Sequence, residues 1–328
     1  MRHAPTAVVS AVSFSGFSAA GDRTCALDSE SRAWCWGARL EAVPEPTLQK
    51  SFEVRTSWKP EILPGLPPVT QVEAASRHIC GVGKDEIIYC RGSGANGVLG
   101  GLGKTFESNR PVPGLRGVKR MVLGGQFGCA ILADHTLACW GTDLEGQLGP
   151  VQEKPPIEID GEILPPERKG ALSRLEPDEA SKKRLFESMR GMGMPRLIAV
   201  PRVESVVAGG QHACALTQGR EVWCWGGRPR GFGSQERVDH APRSVQLPGP
   251  VASMAADWDR TCALLSSGDA WCWQSRRSEP KAFDAPVVPV RTPSLDGARA
   301  LVGGDHAICG RFTDELRCLA RSFAESVL

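Results

Sequence analysis

Gln211-His212-Ala213-Cys214-Ala215-Leu216-Thr217-Gln218-Gly219-Arg220-Glu221-Val222-Trp223-Cys224-Trp225-Gly226 reads as a β-hairpin. Two short apolar runs flank a polar turn, which is the signature of paired strands. In Trp223-Cys224-Trp225 the strand period of two puts both tryptophans on one face and the cysteine on the other. The stretch recurs, and self-similarity at a fixed period is the first thing to seek in a chain of 328 residues. Cysteines fall at 25/35, 80/90, 129/139, 214/224, 262/272 and 309/318, with a spacing of 10 in five pairs and 9 in the last.

Between successive first cysteines the steps are 55, 49, 85, 48 and 47, so six units of similar length follow one another, with an insertion in the third. A proline leads each unit: Pro5, Pro60, Pro111, Pro195, Pro242 and Pro289, 18–20 residues before its first cysteine. Proline lacks the N–H an inner ladder requires, so it suits an edge strand. Val245–Leu247, Val251–Met254, Cys262–Leu265 and Ala270–Trp273 are four apolar stretches split by turn residues. Four short strands per unit make one blade of a β-propeller. The fold expected is all-β: a six-bladed propeller of four-stranded blades in one domain over 1–328.

The run G-x-H-x-C-A-L-x-x-x-G-x-x-x-C-W-G, best seen at His212-Ala213-Cys214-Ala215-Leu216 through Cys224-Trp225-Gly226, resembles the repeats of the regulator of chromosome condensation family. Cys139-Trp140-Gly141 followed by Glu145-Gly146-Gln147-Leu148-Gly149 is similar to that family's W-G-x-N-x-x-G-Q-L-G, with Asp143 in place of Asn. The chain also resembles the propeller-type β-lactamase inhibitory proteins. These resemblances imply a propeller; nucleotide exchange with chromatin association, or enzyme inhibition, would be alternatives to a general binding module. A fold of this kind does not fix a function.

Partners across an antiparallel hairpin face the same side at a Cα distance of about 4.5–5.5 Å, which a disulfide can span. We expect Cys25–Cys35, Cys80–Cys90, Cys129–Cys139, Cys214–Cys224 and Cys262–Cys272 to be bonded. Each would close a loop of about 11 residues, worth roughly 2.5–3 kcal/mol in the chain-entropy model. Reduced cysteines packed as small core residues are the alternative. For Cys309 and Cys318 the shorter spacing implies either a turn one residue shorter or a side chain flipped to the other face. Paired cysteines imply an oxidising, extracytoplasmic setting: periplasm, cell surface or secretion.

Residues 1–20 have two readings. Pro5–Val9 sits where a Pro-led strand would complete the blade of Cys309 and Cys318 and close the ring; the soft apolar stretch could instead be a leader. The insertion, 150–194, contains a helical pattern over 177–190, opened by Pro177 and stopped by Gly191. It is either a helix packed on the rim or a partner-binding appendage.

With 39 basic against 37 acidic residues the chain is no nucleic-acid binder, and no apolar run is long enough for a membrane helix. We expect a monomer. No G-x-S-x-G, H-E-x-x-H, phosphate-binding loop or aspartate box occurs, so no catalytic residue, cofactor or metal is assigned. The six turns before the first cysteines carry Asp22-Arg23, Arg77-His78, Gln126-Phe127, Gln211-His212, Asp259-Arg260 and Asp305-His306. They are either a recognition surface for a protein partner or braces between blades. On the first reading Arg23, His78, Phe127, His212, Trp258, Arg260 and His306 are the candidate binding residues, with Phe127 and Trp258 as aromatic anchors.

Overall fold

The computed structural model describes residues 12–42, 52–94, 97–101, 107–150, 193–227, 240–274, 287–304 and 307–320. They form six antiparallel sheets in chain order. Blade 1 is β1 (Ser15–Ala20), β2 (Arg23–Leu27), β3 (Ala33–Ala42) and β4 (Phe52–Ile62). Blade 2 is β5 (Val69–Ala74), β6 (His78–Gly83), β7 (Ile88–Gly92) and β8 (Glu107–Pro111). Blade 3 is β9 (Val118–Leu123), β10 (Phe127–Leu132), β11 (Leu137–Gly141) and β12 (Arg196–Ile198). Blade 4 is β13 (Val203–Ala208), β14 (His212–Thr217), β15 (Val222–Gly226) and β16 (Arg243–Val245). Blade 5 is β17 (Val251–Ala256), β18 (Arg260–Leu265), β19 (Ala270–Gln274) and β20 (Val290–Arg291). Blade 6 shows three strands among the described residues: β21 (Ala300–Gly303), β22 (Ala307–Arg311) and β23 (Leu316–Ala320). The fold is a six-bladed β-propeller.

The repeat in the sequence is offset from the blade by one strand. Val245 lies in β16, the outermost strand of blade 4, and not in the blade of Val251, Cys262 and Ala270 as expected. The six-residue step from Val245 to Val251 returns the chain from rim to axis. Pro60 and Pro111 lie within outermost strands, while Pro195, Pro242 and Pro289 immediately precede them, where no inner ladder needs their N–H. Pro5–Val9 and the helix expected at 177–190 lie outside the described residues, as do nearly all of the 150–194 insertion and the first eleven residues of the alternative leader; the rest of that stretch holds β1, the innermost strand of blade 1.

The alternation of Trp and Cys organises the packing. Cys214 pairs with Cys224 between Ala213↔Trp225 and Ala215↔Trp223. The Cys face turns to the next blade and the Trp225 face to the previous one. Cys214 therefore belongs to the cluster shared with Val251, Met254 and Trp273 of blade 5. Trp225 joins Phe127, Cys129 and Cys139 of blade 3. Five such clusters fill the seams from blade 1 to blade 6 in turn. The second strands of blades 2 and 4 are sandwiched on both faces, so His78–Gly83 and His212–Thr217 are buried throughout.

All twelve cysteines form disulfides: the five expected pairs and, on the shorter-turn reading, Cys309–Cys318. Cys309 opposes Cys318 because the connecting loop is one residue shorter: Arg311 pairs with Leu316, leaving four residues between strands. In the other blades five residues intervene, as between Leu27 and Ala33. The fourth of the five is left-handed in each: Ser31 at φ 66°, Glu86 at 61°, His135 at 67°, Arg220 at 65° and Gly268 at 92°. Four of these residues also tie blades together. Ser31, Glu86, His135 and Gly268 accept N–H bonds at their carbonyls from Val69, Val118, Val203 and Gly297 of the following blade.

Candidate functional site

The six inner strands surround a cavity of about 310 Å³ on the propeller axis. Its wall is mostly alanine, glycine and valine, from Ala19 and Ala20 round to Gly303 and Gly304. At one mouth the turns that join first to second strands form a ring. Their backbone is fixed by a repeated bond: Ala38, Ser93, Thr142 and Gly227 donate N–H to the carbonyls of Asp22, Arg77, Gln126 and Gln211. That bond explains the glycine two residues after the second cysteine. Gly226 adopts φ 82° and an added Cβ would stand 2.6 Å from the Gln211 carbonyl; Gly141 is alike, 2.7 Å from that of Gln126.

The position after the exposed turn residue faces the seam between blades. Arg23 is 7 % exposed and bonds the carbonyls of Ala38 and, at 3.3 Å, Ala75 of blade 2. His212 is 1 % exposed, with Nε2 2.9 Å from the Thr261 hydroxyl of blade 5. Arg260 clasps Asp257 at 2.6 Å and donates to the Leu319 carbonyl of blade 6 at 3.1 Å. His78 is buried, and burial followed by the charge of Arg23 pulls its pKa down to about 4. Burial does the same for His212, against the opposing charge of Asp257, again to about 4. Both imidazoles are neutral at pH 7.

Phe127 corrects the expectation of an aromatic anchor: its side chain is 0 % exposed and packs among Cys129, Cys139 and Trp225. The reading of Arg23, His78 and His212 as presented surface is corrected in the same way. The physical reason is the strand pleat, which turns these residues into the seam and leaves the preceding one outside. His306 lies outside the described residues. Moreover, Gly304 N–H bonds the carbonyl of Ala307 as Gly209 bonds that of His212, so Ala307, not His306, occupies the histidine position.

What the ring does present is Asp22, Arg77 and Gln126, all exposed, with Trp258 and Asp259 half-buried. The Trp258 ring lies against Gly210, where a Cβ would come within 2.6 Å of it. Deeper, Phe17 (64 % exposed) and Val302 (48 %) add apolar surface at the cavity. The carboxylates of the wall are engaged. Glu73 accepts bonds from Ser18 Oγ and Gln71 Nε2, both at 2.8 Å, and burial pushes its pKa up. Asp257 holds Arg260. Gln71 also grips both backbone groups of Met121 in blade 3, at 2.7 and 2.9 Å. Ser18, Gln71 and Glu73 thus stitch three inner strands together. The sequence carried no signal for them, because they do not recur in the other repeats. Among the described residues no group of three His, Cys, Asp or Glu side chains could hold a metal, and no helix is long and apolar enough to cross a membrane.

Blades, turns and the Trp–Gly motif are similar to those of RCC1-type β-propellers. The family model of the regulator of chromosome condensation (RCC1) repeat matches residues 203–228, which hold β13 to β15. The chain is 25 % identical over 185 residues to the human E3 ubiquitin-protein ligase HERC2, a match covering 55 % of this chain and 3 % of that ligase's length. The structure of Prp20p from Saccharomyces cerevisiae superposes with a TM-score of 0.57 at 21 % identity, covering 87 % of this chain and 65 % of that one. Yeast RCC1 (Prp20) bound to Kap60 gives 0.55 at 19 %, covering 77 % and 54 %.

Proposed function

We propose that this protein is a non-enzymatic, disulfide-stapled binding module that recognises a protein partner through the ring of turns around the axial cavity. The observation that carries this reading is the division of labour within each turn. One residue is spent on the seam, and its neighbour, Asp22, Arg77 or Gln126 in blades 1 to 3, faces solvent on a backbone fixed by hydrogen bonds. Variable side chains on a rigid scaffold are how recognition surfaces are built. Asp22, Arg77, Gln126, Trp258 and Asp259 offer both charges and one aromatic, beside the apolar Phe17 and Val302. The engaged state of Glu73 and Asp257 favours scaffold over catalysis. A solved propeller of this type is bound to another protein, Kap60, which fits the same use of the fold. The paired cysteines favour residence outside the reducing cytoplasm, in the periplasm, at the cell surface or secreted.

The test is capture of partners from extracytoplasmic or surface fractions by the oxidised protein and by a variant carrying Asp22→Ala, Arg77→Ala, Gln126→Ala and Trp258→Ala. A partner held by the parent and lost by an equally stable variant supports the reading. Equal capture by both contradicts it.

A further inference from the structure

Five of the six disulfides lie in seams that are filled. Cys25–Cys35, Cys80–Cys90 and Cys129–Cys139 are buried within the clusters linking their blade to the next. Cys214–Cys224 and Cys262–Cys272 each have one half buried and the other half partly covered by the following blade. By the same rule the sixth pair faces from blade 6 toward blade 1. There, no buried cluster joins the two blades among the described residues, although Phe14 and Phe17 meet Trp34 and Trp36 on blade 1's side. β1 packs on β5, β5 on β9, β9 on β13, β13 on β17 and β17 on β21, whereas β21 and β1 make no comparable contact. Cys309–Cys318 is the one pair with neither half buried, and Cys318 is exposed. Around it Val302 and Leu316 are exposed too, at 48 % and 62 %.

We infer that Cys309–Cys318 is a thiol–disulfide exchange site, open to a dithiol reductant while the other five bonds are protected. Exchange requires a thiolate to reach one sulfur of the bond, so access separates chemically identical disulfides. The sulfur of Cys318, the exposed residue of the pair, is the one attacked. A bond forms between it and the first sulfur of the dithiol, the Cys309–Cys318 bond breaks, and Cys309 leaves as a thiolate that takes a proton. The second thiolate of the dithiol then attacks its own partner sulfur and releases Cys318. The dithiol ends as a disulfide, oxidised by two electrons; Cys309 and Cys318 end as thiols. Reduction frees the β22–β23 hairpin at the seam and leaves five stapled blades with their clusters intact.

The experiment is a timed treatment of the native protein with dithiothreitol, quenched with N-ethylmaleimide and mapped by peptide mass. The expected result is label on Cys309 and Cys318 at least tenfold faster than on any other cysteine, with far-UV circular dichroism little changed at that point. A second arm uses reduced glutathione with acid quenching, where the trapped adduct should sit on Cys318. Earlier labelling of any other pair, or loss of all six bonds together, overturns the proposal; an adduct on Cys309 overturns the assigned direction of attack. A Cys309→Ala/Cys318→Ala variant should lack the fast phase, and a fast phase that persists in it would contradict the assignment.

Discussion

The indole N–H of Trp225 in blade 4 donates to the carbonyl of Gln147 in blade 3 at 2.9 Å. Trp140 makes the equivalent bond to Val98 of blade 2 at 3.2 Å. In both cases the acceptor lies eight residues after a second cysteine, Cys139 or Cys90. Tryptophan at this position is therefore a blade-to-blade latch as well as a large apolar face. Trp225→Phe keeps most of the ring and leaves a buried carbonyl unsatisfied, which costs about 1–3 kcal/mol. Trp223→Phe, whose indole only reaches Glu221 of its own hairpin, should cost less than about 0.5 kcal/mol. Urea melts of the two variants check the contrast, and equal destabilisation would remove the latch from the account.

Phe127 and the exposed residues of the ring should part company on truncation. Phe127→Ala empties a fully buried site and should cost about 3–5 kcal/mol. The Asp22, Arg77 and Gln126 alanine variants should each stay within about 0.5 kcal/mol of the parent, as surface substitutions do. Thermal denaturation of the single variants reads both expectations, and a stable Phe127→Ala protein would mean that the pleat has been misassigned.

The left-handed loop residue makes a prediction of opposite sign. Blade 5 uses Gly268, while blade 1 holds Ser31 at φ 66°. A side chain there is strained and glycine is not, so Ser31→Gly should stabilise the protein by about 0.5–1 kcal/mol. Gly268→Ala should destabilise it by a similar amount. The midpoint of chemical denaturation decides, and a loss of stability in Ser31→Gly would refute the strain argument.

His78 and His212 set the acid response. Their folded pKa values lie near 4, below the ordinary 6.5, because burial disfavours the charged ring. The neutral form is thus favoured by folding. Stability from this source is complete above pH 6.5, falls as pH drops from 6.5 to 4, and levels off below. Each group contributes about 3 kcal/mol across that window. His212→Asn should flatten the dependence of stability on pH between 6.5 and 4. An unchanged slope in that variant would show that other groups carry it.

Much of this architecture was legible because cysteine, proline and Trp–Gly recur in one register. The spacing of ten places Cys214 opposite Cys224 once a five-residue loop is granted, and a spacing of nine does the same for Cys309 and Cys318 with four. The blade boundary was not legible, since Val245 and Val251 are close in sequence and belong to neighbouring sheets. Nor was the outward side of the turn. Gln126-Phe127 and Gln211-His212 read as polar or aromatic surface, but of the four only Gln126 is exposed; Gln211 is half-buried, and the second member of each pair is claimed by the seam. Burial of that kind depends on the next blade, which no local pattern encodes. The Ser18–Gln71–Glu73 stitch was hidden for the same reason.

The central claim is a propeller stapled blade by blade in an oxidising compartment. Its most direct measurement is the thiol state of the protein taken from its cell under acid quench, alkylated with N-ethylmaleimide after denaturation without reductant, and mapped by mass. The account predicts no label on the ten cysteines of blades 1 to 5, with Cys309 and Cys318 either unlabelled or labelled together. Label on Cys214, Cys224 or any other of those ten would contradict it.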